Sequence, residues 1–289
     1  VNPYLSELLR SGPILTDGAW GTQMQARGLP IGGCPDAWNL THPDRVAEVA
    51  AAYVAAGSRV ILTNTFGANR LTLSRHDLAE QAAQVNRLGA QISLQAAGNA
   101  ARVFGSIGPS GRMLATGEVT ASELQSAFRE QAQALQEGGA EALVVETMSD
   151  LDEARIAVES AKTTGLPVIA SMTFGVGKQG DRTIMGVTPE RAAVALAEAG
   201  ADALGTNCGI GPEAMLPLCA RLRAATDLPV WVKPNAGLPV MEDGRAVYQT
   251  TPEAFADIAR QFIGAGANFI GGCCGTSPEF ITALAERMR

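Results

Sequence analysis

The chain is predicted to be α/β, a single (β/α)8 barrel over residues 1–289. Eight short apolar runs alternate with amphipathic helical stretches, several helix-to-strand joints reuse one glycine solution, and no linker or composition shift divides the sequence. The strand-like runs fall at 14–17, 59–64, 102–107, 142–146, 168–172, 203–206, 230–233 and 268–270. Runs two, four, six and eight follow Ala56-Gly57-Ser58, Gly138-Gly139-Ala140, Ala199-Gly200-Ala201 and Gly264-Ala265-Gly266-Ala267. Glycine there suits a residue just past a helix end with positive φ. Runs five and seven instead follow Gly165-Leu166-Pro167 and Asp227-Leu228-Pro229. A doubly wound open sheet is the competing architecture, but Asp17-Gly18-Ala19-Trp20-Gly21-Thr22 lacks the glycine fingerprint expected after its first strand.

Composition excludes several classes of function. With 46% hydrophobic and 18% charged residues the chain has the material for a sizeable core, which argues against a disordered or fibrous protein. A net charge of -7 with no basic block makes nucleic acid and anionic membrane surfaces unsuitable partners. No apolar run approaches the roughly 20 residues of a membrane span, and Val1-Asn2-Pro3-Tyr4-Leu5 lacks the features of a signal peptide. A soluble, cytoplasmic protein is expected. Five cysteines without framework spacing point to reduced thiols or metal ligation rather than structural disulfides.

In a barrel, chemistry sits at the C-terminal ends of the strands. The residues there are Asp17, Asn64 and Thr65, Glu146, Asn207 and Cys208, Lys233 and Asn235, and Cys273 and Cys274. Cys208 lies in Gly205-Thr206-Asn207-Cys208-Gly209 and the other two cysteines in Gly271-Gly272-Cys273-Cys274-Gly275-Thr276. Three thiolates converging from two strand ends suit zinc and leave a fourth tetrahedral position open. Such a zinc carries net negative charge, so it activates water poorly but keeps a fourth thiolate deprotonated and electron-rich. Asp17 and Glu146 are acceptors for a substrate ammonium, and backbone N–H groups near Gly18 and Thr65 for a carboxylate. The expected substrate is an amino acid bearing a thiol.

These motifs resemble the zinc-binding signature of the homocysteine S-methyltransferase family. The resemblance extends to Asp17-Gly18-Ala19-Trp20-Gly21-Thr22, Thr63-Asn64-Thr65-Phe66-Gly67-Ala68-Asn69-Arg70, Glu146-Thr147 and Lys233-Pro234-Asn235-Ala236-Gly237-Leu238-Pro239. Its style is nearest the homocysteine-binding module of cobalamin-dependent methionine synthase. It implies that Cys208, Cys273 and Cys274 ligate zinc, and that Glu146 and Asp17 receive the homocysteine amino group. Gly18, Asn64, Thr65 and Asn235 complete the substrate contacts, with Asn235 a stand-in or neighbouring ligand when substrate is absent. It also implies attack of the homocysteine sulfur on an activated methyl group to give methionine. The first-choice donor is a methylcorrinoid such as methylcobalamin, with betaine, another onium compound or S-methylmethionine as alternatives. Because the sequence stops at Arg289, the corrinoid is expected on a separate protein or free. Trp20 departs from the methionine usual in that module, so the donor-facing rim is expected to differ.

Other readings stay open on the residues alone. Cys273 and Cys274 could form a vicinal disulfide, and their turn could bind phosphate at a helix N-terminus. Lys233 could form a Schiff base in a barrel aldolase, although pairing with Asp or Glu fits its neighbours better. A non-catalytic thiol- or zinc-binding barrel is a third class. Cys34 and Cys219 read as ordinary small residues, and His42 and His76 as exposed non-ligands. Trp20 and Phe66 mark a candidate docking surface for a donor protein.

Overall fold

The computed structural model describes residues 2–242 and 245–288; Val1 and Arg289, the ends of the expected domain, lie outside them. Its strands are β1 (Ile14–Leu15), β2 (Val60–Leu62), β3 (Arg102–Ile107), β4 (Ala142–Met148), β5 (Val168–Met172), β6 (Ala203–Asn207), β7 (Val230–Lys233), β8 (Val240–Glu242), β9 (Arg245–Val247) and β10 (Phe269–Ile270). Eight of them pair in parallel in the order β1-β10-β7-β6-β5-β4-β3-β2, and β8 and β9 form a separate antiparallel hairpin. The two ends of that order meet: Leu15 O accepts the Arg59 N–H at 2.8 Å, and Thr16 O accepts the Ser58 hydroxyl at 3.2 Å. One carboxylate oxygen of Asp17 accepts the Leu62 N–H at 2.7 Å. The result is a (β/α)8 TIM barrel. β1 is shorter than the expected 14–17 because at Asp17 a side chain, not the backbone, receives the β2 amide.

Alternation along the strands sorts the core into two layers. Ile14, Val60, Leu62, Phe104, Ala142, Val144, Ile169, Ala203, Trp231 and Phe269 fill the barrel interior, while Leu143, Val145, Ala170 and Val232 face the helices. Leu5, from the N-terminal helix Pro3–Leu8, belongs to the interior cluster and is fully buried. Burying each large apolar side chain there contributes roughly 1.5–3 kcal/mol. Trp231 lies beside Gly205 of β6, where a Cβ would come within 2.2 Å of the Trp231 carbonyl oxygen. Only glycine lets β6 and β7 approach that closely.

The joints repeat as expected from the sequence. Gly57, Gly139, Gly200 and Gly266 have φ of 103°, 97°, 97° and 93°, each shortly after a helix. This shared exit returns the chain to the next strand, so the following strand tips gather at one face. No helix among the described residues is long and apolar enough to cross a membrane. The hairpin β8–β9, between β7 and the helix Pro252–Ala259, was not legible as strand in the sequence.

Candidate metal and substrate site

A cavity of about 530 Å³ opens at the strand tips, and Glu146, Lys233, Cys208, Cys273 and Cys274 line it together with Gly18, Trp20, Asn64 and Phe66. The three cysteines arrive from two directions. Cys208 follows β6 in a left-handed conformation, φ 63°, and its N–H donates to Lys233 O at 3.0 Å. The Cys273 N–H donates to Pro234 O at 2.7 Å, and Cys274 O accepts the Ala236 N–H at 2.9 Å, so both turns are anchored to the segment after β7. Gly275 ends the turn at φ 82° with the Tyr248 ring against it, 2.3 Å from where a Cβ would stand.

The three Sγ atoms lie within 4.8 Å of one another, with Cys208 Sγ to Cys274 Sγ at 3.8 Å. Two thiolates about 2.3 Å from one tetrahedral zinc stand about 3.8 Å apart, so the spacing fits the ion. All three cysteines are free thiols. Hydrogen bonds from the Cys273 and Cys274 thiols hold Cys208 down to about 3, and the same contact with Cys208 raises the other two, Cys274 to about 11. The Asn235 side chain adds to the lowering at Cys208, while its buried Oδ1 has no hydrogen-bond partner. That orphaned oxygen fits the metal-side position suggested by the sequence resemblance.

Beside the sulfurs stands a buried set of charges. Glu146 accepts the Ser106 hydroxyl at 2.6 Å, and burial raises its pKa against the opposing pull of Lys233 and Ser106. Lys233 is ion-paired with Asp17. Burial disfavours its charge, yet Asp17 and Glu146 together raise its pKa above the ordinary lysine value. Asp17 is fully buried and also accepts the Trp20 indole N–H and the Leu62 N–H, both at 2.7 Å. Counting Asp17 and Glu146 against Lys233 leaves one net negative charge.

The β2 tip is different. Asn64 reaches the cavity, but its Nδ2 donates to Pro35 O at 2.8 Å and Asn39 Oδ1 at 3.1 Å. Thr65 is fully buried; its hydroxyl donates to Ser106 O at 2.7 Å, and its carbonyl accepts the Gln131 amide at 2.8 Å. Asp17, Thr65 and Asn235 are not among the cavity-lining residues. Sequence reasoning passed over Ser106, whose inward parity with Phe104 on β3 was the available signal, and Asp36, a buried carboxyl in the wall raised to about 6 by desolvation. Cys34 lines the same wall with its thiol pushed up to about 11, foremost by burial, and Cys219 is buried away from it. His42 and His76 are both exposed, the latter at the cavity mouth.

The profile of the family described as Homocysteine S-methyltransferase matches residues 14–288. Methionine synthase of Mycobacterium tuberculosis is 32% identical over 300 residues, covering 97% of this chain and 25% of that protein, and methionine synthase of Mycobacterium leprae is 31% identical with the same coverage. The chain therefore spans about a quarter of the length of these curated relatives. Homocysteine methyltransferase MmuM of Escherichia coli in its metallated form superposes with a TM-score of 0.82 at 27% identity, covering 99% of this chain and 100% of that one. The apo form of the same protein gives 0.77 at 25% identity. The profile match begins at β1 and continues into the last helix, taking in every strand tip of the cavity, and the chain belongs to the homocysteine S-methyltransferase family.

Proposed function

We propose that this chain is a zinc-dependent S-methyltransferase that moves a methyl group onto the sulfur of homocysteine to give methionine. The observation that carries the reading is the Cys208, Cys273, Cys274 cluster on the wall of the same cavity as Glu146. Zinc held by the three cysteines would supply the Lewis acidity that keeps the substrate thiol deprotonated at neutral pH. Glu146 receives the substrate ammonium, which neutralises the one net negative charge of the Asp17–Lys233–Glu146 set. Asp17, with three donors already on it, acts in this site by holding Lys233 charged and Trp20 in place. The backbone at Gly18, in the wall, meets the substrate carboxylate, and Asn64 and Thr65 fix the opposite wall. Asn235 keeps the metal side of the site polar until substrate arrives. In the transfer one carbon–sulfur bond forms as the donor–methyl bond breaks, and the thiol proton leaves to solvent. The protein's contribution is alignment and exclusion of water.

The proposed donor is a methylcorrinoid that approaches the rim at Trp20 and Phe66; Phe66 is 44% exposed. Motif style and the methionine synthase relatives support this order over betaine, other onium compounds or S-methylmethionine. A cytoplasmic location agrees with three free thiols in one cluster. The Schiff-base alternative is disfavoured because Lys233 is ion-paired and its pKa is raised, the opposite of an activated amine. Zinc-loaded protein given homocysteine with each donor in parallel should form methionine, fastest with methylcobalamin. No methionine from any donor would reject the reading, and a faster rate with an onium donor would reverse the donor order.

A further inference from the structure

We propose that Asn207 is the positioning residue that ties the ammonium-binding carboxylate to the metal cradle, an inference that rests on the function proposed for this cavity. Asn207 ends β6, is fully buried, and uses both ends of its amide. Its Oδ1 accepts the Thr147 N–H at 2.9 Å and the Ser171 hydroxyl at 2.6 Å. Its Nδ2 donates to Thr147 Oγ1 at 2.7 Å and also faces Glu146 Oε2 at 3.4 Å and Cys273 Sγ at 3.9 Å. One amide thus spans the carboxylate on β4 and a sulfur from the turn after β10.

Thr147 explains why such a clamp is needed. It is β-branched yet has φ 61°, a strained conformation that L-residues with branched side chains rarely adopt. The pairing of β4 with β5 shifts register between Val145 and Met148. Ala142 and Val144 point into the barrel, whereas Leu143, Val145 and Met148 pack in the outer layer. Strict alternation would turn Met148 inward, so one residue of Glu146-Thr147 is the extra residue of a bulge. Glu146 keeps the inward parity and Thr147 absorbs the distortion. Asn207 grips Thr147 at both its N–H and its hydroxyl, and so fixes the direction of Glu146 relative to the sulfurs. Without that grip Thr147 relaxes toward negative φ and Glu146 turns with it.

The test uses the zinc-loaded full chain with two probes, homocysteine and 4-mercaptobutanoate, which lacks only the amino group, with zinc content measured alongside. Asn207→Ser should weaken homocysteine binding about tenfold while 4-mercaptobutanoate changes by less than ~2-fold and zinc stays stoichiometric. Adding Glu146→Gln to Asn207→Ser should cost less than ~2-fold more, because the carboxylate is already misdirected. Equal weakening of both thiols, loss of zinc, or full additivity of the two substitutions would overturn the proposal. If Asn207→Ser does not fold, Asn207→Ser with Thr147→Gly, in which glycine holds φ 61° without strain, should fold and bind homocysteine within about threefold of wild type, and a folded double variant that still loses about tenfold would overturn the proposal. Wild-type protein that binds neither thiol would overturn this inference together with the proposed function, and that control separates the two failures.

Discussion

The tips of β4, β6 and β10 and the tip of β2 carry similar polar residues and use them in opposite ways. Glu146, Cys208, Cys273 and Cys274 line one cavity, with the three sulfurs within 4.8 Å of one another. Thr65 turns its hydroxyl into the wall, and Asn64, although it reaches the cavity, commits its amide nitrogen to Pro35 and Asn39. A polar residue at the end of a barrel strand is therefore a site residue only when its neighbours leave its hydrogen-bonding capacity to the cavity. On the β2 side, Asn39 and Gln131 from distant helices occupy the backbone oxygens of Asn64 and Thr65. On the other side, glycines at 205, 271 and 275 keep neighbouring atoms close and leave the cysteines to face inward.

Substitutions on the two sides should break differently. Cys273→Ser should abolish stoichiometric zinc binding and methyl transfer, read by metal analysis and methionine formation, because a hydroxyl does not ionise as a thiol does. Glu146→Gln should keep zinc but raise the homocysteine KM about tenfold, within the range for losing a charge-assisted contact. Since burial raises the Glu146 pKa, the wild-type KM should climb as pH falls into the acid range, before an ordinary glutamate would protonate, and the Gln variant should not share that rise.

Effects on the β2 side should appear in stability instead. Asp36, which accepts the Gly67 N–H at 3.0 Å, has its pKa raised from 3.8 to about 6, so the fold favours its neutral form. That contribution is full below the unfolded value and lost as pH rises through about 6, leaving a penalty at neutral pH. Asp36→Asn should stabilise by about 1–2 kcal/mol at pH ~7.5 and by nothing at pH ~3.5 in denaturant titrations. Thr65→Val, which removes the hydroxyl that donates to Ser106 O and pairs with the Thr63 hydroxyl, should destabilise by about 1 kcal/mol with zinc content unchanged and homocysteine KM within about twofold. A KM change on this side as large as that of Glu146→Gln would erase the distinction between the two regions.

Much of this arrangement was legible because it is local. The positive-φ glycines at 57, 139, 200 and 266 repeat in the sequence and in the barrel, and Cys273-Cys274 within glycines signals a turn that packing alone does not explain. What was not legible depends on contacts between distant segments. Nothing near Thr147 announces a left-handed residue, because the grip comes from Asn207, 60 positions away. The environment of Thr65 is set by Gln131, 66 positions away. The pairing of Lys233 with Asp17, by contrast, could be anticipated, since a buried lysine at a strand tip needs a carboxylate and few lie at that face.

The central claim is that three cysteines hold a zinc whose remaining position takes the substrate sulfur. X-ray absorption at the zinc edge tests it most directly. Protein with one zinc per chain should give three sulfur neighbours at about 2.3 Å and a fourth on adding homocysteine. Sub-stoichiometric zinc, or a sulfur count unchanged by homocysteine, would contradict the account.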